Sequence, residues 1–101
     1  MILMRDNAMQ KIVEDAERSY PNEACGLVLG ERRGADVHVA SVHVSSNLSP
    51  TPRTHFEVDP QLRFDLERVA REKGLEVVAA YHSHPNGVVK PSEVDLSRAW
   101  E

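Results

Sequence analysis

Residues 79–97 read AAYHSHPNGVVKPSEVDLS, and the stretch opens inside the apolar run LEVVAAYHS, residues 75–83. That run predicts a buried strand. Strand residues two apart share a face, about 6.6 Å apart along the chain. His82 and His84 can therefore converge on one metal ion while Ser83 points away. Pro85, Asn86 and Gly87 let the chain leave the strand, and the loop to Pro91 can bring the next segment back over the site. PSEVDLSRAW predicts a third helix, with Ser92 at its N-cap and the acid Asp95 three residues later. Neutral imidazole is the commonest protein ligand for zinc, and a catalytic zinc keeps three protein ligands and one water. Asp95 is then the natural third ligand. The competing reading is a chance His-x-His at a strand end beside an ordinary helix cap. These residues alone leave both open, and a capping role for Ser92 is compatible with a functional one.

Upstream of the strand, Asp59 and Pro60 predict the start of a helix whose buried stripe is Leu62, Leu66, Val69 and Ala70. Lys73 and Gly74 close it. HFEV, residues 55–58, reads as a short strand, and SSNLSPTPRT before it as a loop. DVHVASVHV, residues 36–44, alternates like a strand but changes phase: Val37 and Val39 are odd-numbered, Val42 and Val44 even. A bulge or bend near Ala40 and Ser41 is expected, because a one-residue slip turns the apolar face over. With CGLVLG, residues 25–30, and the turn ERRG, this predicts a β-hairpin over roughly residues 25–45. MILMR predicts a short first strand. Asp6 or Asn7 can cap a first helix carrying Met9, Ile12, Val13 and Ala16 on one face. That helix should stop near Tyr20, ahead of Pro21. Mixed strands and helices of this kind make a small α/β or α+β layered domain.

The 101 residues suggest one domain with one modest core. A net charge of −4 without a basic stripe argues against nucleic acid as a partner. Apolar runs are too short to span a bilayer, so no membrane partner is expected, and no signal-peptide pattern is visible. The single cysteine cannot form an internal disulfide, and a cytoplasmic location is the default expectation. Cys25 could be read as a protease nucleophile beside His82 or His84, but a buried strand residue is the better reading. His38 and His43 are expected to face solvent, and His55 has no partner that the sequence identifies; none of the three is assigned to metal.

HSHP, with Ser92 eight residues after His84 and Asp95 three further on, resembles the signature of the JAMM/MPN+ zinc metallopeptidase family, prokaryotic stand-alone type. The upstream Glu of that signature is matched by Glu23 in PNEACGLVLG, and HFEVDPQ resembles the family's lead into its second helix. The resemblance runs from about residue 1 to residue 97. It implies a cytidine-deaminase-like α/β fold, a mixed sheet flanked by helices. It implies one Zn2+ on His82, His84 and Asp95, with a water in the fourth position and hydroxide available at neutral pH. Glu23 would take the proton and pass it to the leaving amine. Ser92 would donate to the oxyanion. The implied activity is that of a metallopeptidase or isopeptidase cutting after the C-terminal Gly-Gly of a ubiquitin-like or sulfur-carrier protein. A zinc deaminase needs a Pro-Cys-x-x-Cys pair that one cysteine cannot supply. The other rival is a metal-free scaffold of the same fold that binds protein partners; such relatives have lost signature residues that this chain retains.

The pattern departs from the family at its end. Further strands normally follow the Asp-bearing helix, whereas here the chain stops at RAWE. Either a single JAMM/MPN-like domain, residues 1–101, is truncated, or it is a reduced variant. An open edge beside the His strand would invite another chain, so a homodimer is an expected partnership.

Overall fold

The computed structural model describes residues 1–84 and the backbone of residues 94–98. Its elements in chain order are β1 (Ile2–Leu3), α1 (Asp6–Ser19), β2 (Cys25–Arg33), β3 (Asp36–Ser45), α2 (Pro60–Lys73), β4 (Glu76–Ser83) and β5 (Val94–Arg98). They build one mixed sheet of order β1-β3-β2-β4-β5. Only β1 runs parallel to its neighbour; the other pairings are antiparallel.

CGLVLG is central, and both of its faces are covered. Leu27 and Leu29 pack with Leu66 and Ala70 of α2, while Val28 packs with Ile12 of α1. The alternation of a strand thus assigns one helix to each face. α2 follows its sequence closely. Asp59 accepts a hydrogen bond from the Gln61 N–H, Pro60 opens the helix, and Gly74 ends it at φ 70°, a left-handed conformation that glycine adopts without a Cβ penalty. The expected bulge is present: Leu29 faces Ser41 and Gly30 faces Val39, leaving Ala40 as the extra residue. A second shift leaves out Val78, since Val28 faces Ala79 and Leu29 faces Val77. Val78 and Ala79, though consecutive, therefore join the same α1-side cluster.

Several local expectations are corrected. β2 continues through ERR to Arg33, and the turn is Gly34–Ala35, with Gly34 at φ 61° as a tight hairpin requires. The N-cap of α1 is Arg5, not Asp6 or Asn7, and its side chain makes no capping bond. Asp6 lies in the first turn instead, where its charge suits the helix dipole. HFEV forms no strand; its sheet-like pairing is a single bridge between Asn47 and Val58. His38 and His43 are half-buried rather than solvent-facing. His43 meets Ser41 Oγ at 2.8 Å through Nε2, and burial, with Lys11 and Lys73, lowers its pKa.

The predicted third helix is also absent over Val94–Arg98, which is a strand antiparallel to β4. VDLSR alternates apolar and polar residues, and the available edge of β4 satisfies its backbone, so pairing overrides the local capping pattern. β5 also covers the edge through which a homodimer was expected. Ser92 lies outside the described residues. No described helix is long and apolar enough to cross a membrane.

Candidate active site

The site lies where β2 begins and β4 ends. Glu23 precedes β2, and its side chain is buried. Its backbone is held from both ends: its N–H donates to the Pro52 carbonyl at 2.7 Å, and its carbonyl accepts from Asn47 Nδ2 at 3.1 Å. The next residue, Ala24, exchanges bonds with Ser83. Ser83 N–H donates to the Ala24 carbonyl at 3.0 Å, and Ser83 Oγ accepts from the Ala24 N–H at 2.9 Å. The residue between the two histidines thus sets the level of Glu23 against them.

Glu23 Oε1 lies 3.2 Å from His82 Nδ1. The His82 ring stacks on Phe56, with centroids 4.4 Å apart and planes 12° from parallel, and meets His84 edge-on at 4.9 Å. Ligating atoms of Glu23, His82 and His84 all lie within 4.8 Å of one another. Together with Thr54, His55 and Phe56 these residues line a cavity of about 260 Å³. His55 is held through Nδ1 by the hydroxyls of Thr54, at 2.8 Å, and Thr51, at 3.0 Å.

Two imidazoles and a carboxylate within this span are the donor chemistry of a catalytic zinc site, so the residues fit such an ion. The structure brings together Glu23, His82 and His84. In the backbone register Asp95 stands opposite His82. Cys25 is fully buried, and burial pushes its thiol up to about 11, so it carries no nucleophilic thiolate at neutral pH.

Sequence reasoning missed Phe56, Ser83 and Asn47 as parts of this arrangement. Phe56 lies inside the quoted HFEVDPQ segment, but nothing local says that its ring meets His82. Asn47 looks like an ordinary loop residue until its partners are seen.

The fold and this acid–histidine cluster define an α/β domain with a candidate metal site. The sequence matches the family Prok-JAB, prokaryotic homologs of the JAB domain, over residues 5–101, and the chain belongs to that family. It is 33% identical over 95 residues to a desampylase of Haloferax volcanii, covering 94% of this chain and 67% of that protein. It is 34% identical over 82 residues to a probable TtuB-protein conjugate cleaving protease of Thermus thermophilus, covering 81% and 52%. Tail tip assembly protein K of Escherichia phage N15 is 35% identical over 95 residues, covering 94% of this chain and 35% of that protein. The solution structure of a protein from Desulfitobacterium hafniense superposes with a TM-score of 0.76 at 35% identity, covering 84% and 57%. The chain thus spans between about a third and two thirds of the length of these relatives.

Proposed function

We propose that this chain is a zinc-dependent metallopeptidase or isopeptidase acting after the C-terminal Gly-Gly of a ubiquitin-like or sulfur-carrier protein. The observation that carries the reading is a buried carboxylate, Glu23, held 3.2 Å from His82 at the wall of a cavity that His84 also lines. Membership of the JAB family supports it, as do the relatives named as a desampylase and as a probable TtuB-protein conjugate cleaving protease.

His82, His84 and Asp95 are the proposed zinc ligands. Bound by these residues, a zinc ion would supply Lewis-acid chemistry, with hydroxide available near neutral pH. Glu23 takes a proton at its carboxylate and returns it to the leaving amine. Ser92 donates a hydrogen bond to the developing oxyanion. The Phe56 ring, stacked on His82, limits the orientations open to the imidazole.

The test uses a ubiquitin-like protein with a C-terminal extension after Gly-Gly. Cleavage should depend on zinc, stop with chelator and return when zinc is restored. Glu23→Gln should retain zinc by metal analysis and lose at least about 100-fold in rate. Loss of zinc in that variant would make Glu23 a ligand instead. Protein that neither holds zinc nor cleaves when zinc is added would be the metal-free scaffold.

A further inference from the structure

We infer that Asn47 is a positioning residue for the hydrolytic site, acting through the main chain of Glu23 and through the segment that carries Phe56. The inference rests on the proposed role of Glu23 as the proton carrier. Asn47 lies just beyond β3, where the chain enters the connection to α2. Its amide nitrogen donates to the carbonyls of Glu23 at 3.1 Å, His55 at 3.0 Å and Pro52 at 3.4 Å. Its carbonyl oxygen accepts from the N–H groups of Ser49 and Glu57, each at 3.0 Å. Carbonyls gather on one end of the side chain and N–H groups on the other, so the surroundings fix which way the amide points.

These partners belong to both halves of the site. Glu23 is tied to Asn47 by its carbonyl and to Pro52 by its N–H, so the connection grips the peptide units on either side of the Glu23 Cα. His55 and Glu57 flank Phe56, the ring stacked on His82. One side chain therefore couples the backbone under the Glu23 carboxylate to the backbone under the aromatic wall. Neither a hydrophobic residue nor an acid reproduces this: the first lacks both ends, and the second lacks the donors. Displacing a catalytic group by about 1 Å can cost on the order of 100-fold in rate. The effect should therefore fall on kcat, with substrate binding largely preserved.

The experiment compares the protein as it stands with Asn47→Ala and Asn47→Asp. It measures zinc content, amide hydrogen exchange, and kcat and KM on the extended ubiquitin-like substrate. Asn47→Ala should speed exchange of the Glu23 and Glu57 amides by at least about 10-fold, while β2, β4 and the two helices keep their protection. Asn47→Asp retains the acceptor end, so Ser49 and Glu57 should stay protected, while the Glu23 N–H should lose protection because the Pro52 carbonyl to which it donates is also held by the Asn47 amide. Both variants should retain zinc and lose about 10- to 100-fold in kcat, with KM within about twofold. Unchanged exchange at Glu23 in both variants overturns the inference. So does unchanged kcat in an active protein, or a loss of protection across the whole sheet in both, which would make the role structural. If exchange responds as expected but even the unaltered protein never cleaves, the functional reading fails and the positioning contact stands.

Discussion

On the α2 face of the sheet, Leu27, Leu29, Leu66, Ala70, Val77 and Ala80 meet through aliphatic contact. On the α1 face, similar packing surrounds a directional bond: Tyr81 Oη donates to Asp15 Oδ2 at 2.7 Å, with both residues buried. Asp15 is also held by Arg18 and Ser19 from its own helix. Burial and the bond to Asp15 push the Tyr81 pKa well above its ordinary value, so the phenol stays a donor. Dispersion and hydrophobic contact tolerate small slides of one element over another, whereas a short hydrogen bond does not. Tyr81 immediately precedes His82, so the directional tie lies one residue from the proposed site. One face supplies stability, and the other also supplies position.

The largest expected effect comes from Gly26→Ala on the α1 face. A Cβ there would collide with the Tyr81 ring and the His43 carbonyl, and backbone cannot yield cheaply. The expected cost is more than about 3 kcal/mol by denaturant unfolding. A cost below 1 kcal/mol would mean that this face is looser than described. Leu66→Ala breaks the other face and should cost about 2 to 3 kcal/mol. The fraction that stays folded should keep its kcat; a matching loss of activity would erase the distinction between the faces.

Cys25, on the strand shared by both faces, gives a pH test. Its thiol holds its proton up to about 11 in the folded chain, against an ordinary value of 9.0. The raised value means that the stabilisation is fully present below about pH 9 and is lost as pH rises towards 11. The expected decline is about 2 to 3 kcal/mol, absent in Cys25→Ala. Equal pH slopes in the two proteins over that window would contradict it. Smallest in stability is Tyr81→Phe, at about 1 to 2 kcal/mol, because Asp15 loses one donor while Arg18 and Ser19 remain. Its kcat should nevertheless fall more than that of Leu66→Ala. The reverse order would break the comparison.

Legibility in the sequence follows the same division. Aliphatic packing repeats with the period of its element, so the α2 stripe, the hairpin and even the bulge at Ala40 could be read from residue spacing. The cap at Asp59 and the stop at Gly74 are local chemistry and were equally open to reading. Glu23 and the two histidines were found through signature spacing, because a lone acid before a strand says nothing by itself. Asp15 and Tyr81 are 66 positions apart, and Ser83 and Ala24 are 59 apart. No periodicity links such pairs, so their hydrogen bonds were invisible. The third helix failed for the opposite reason. A Ser and an acid at capping distance are a local signal, and β4 offered a stronger, non-local partner to Val94–Arg98.

The two bulges interrupt the pairing of β2 at nearly the same level, one on each side, at Ala40 and at Val78. Bulges increase local twist and bend the strand that carries them. Placed abreast, they fall between the end of the sheet that carries Glu23 and the histidines and the end that carries the Gly34–Ala35 hairpin tip. The far end is anchored too: the N-terminal amine donates to the Ala35 carbonyl at 3.0 Å and lies 3.5 Å from the Asp36 carboxylate, so an extension of Met1 would meet the hairpin tip rather than the histidines.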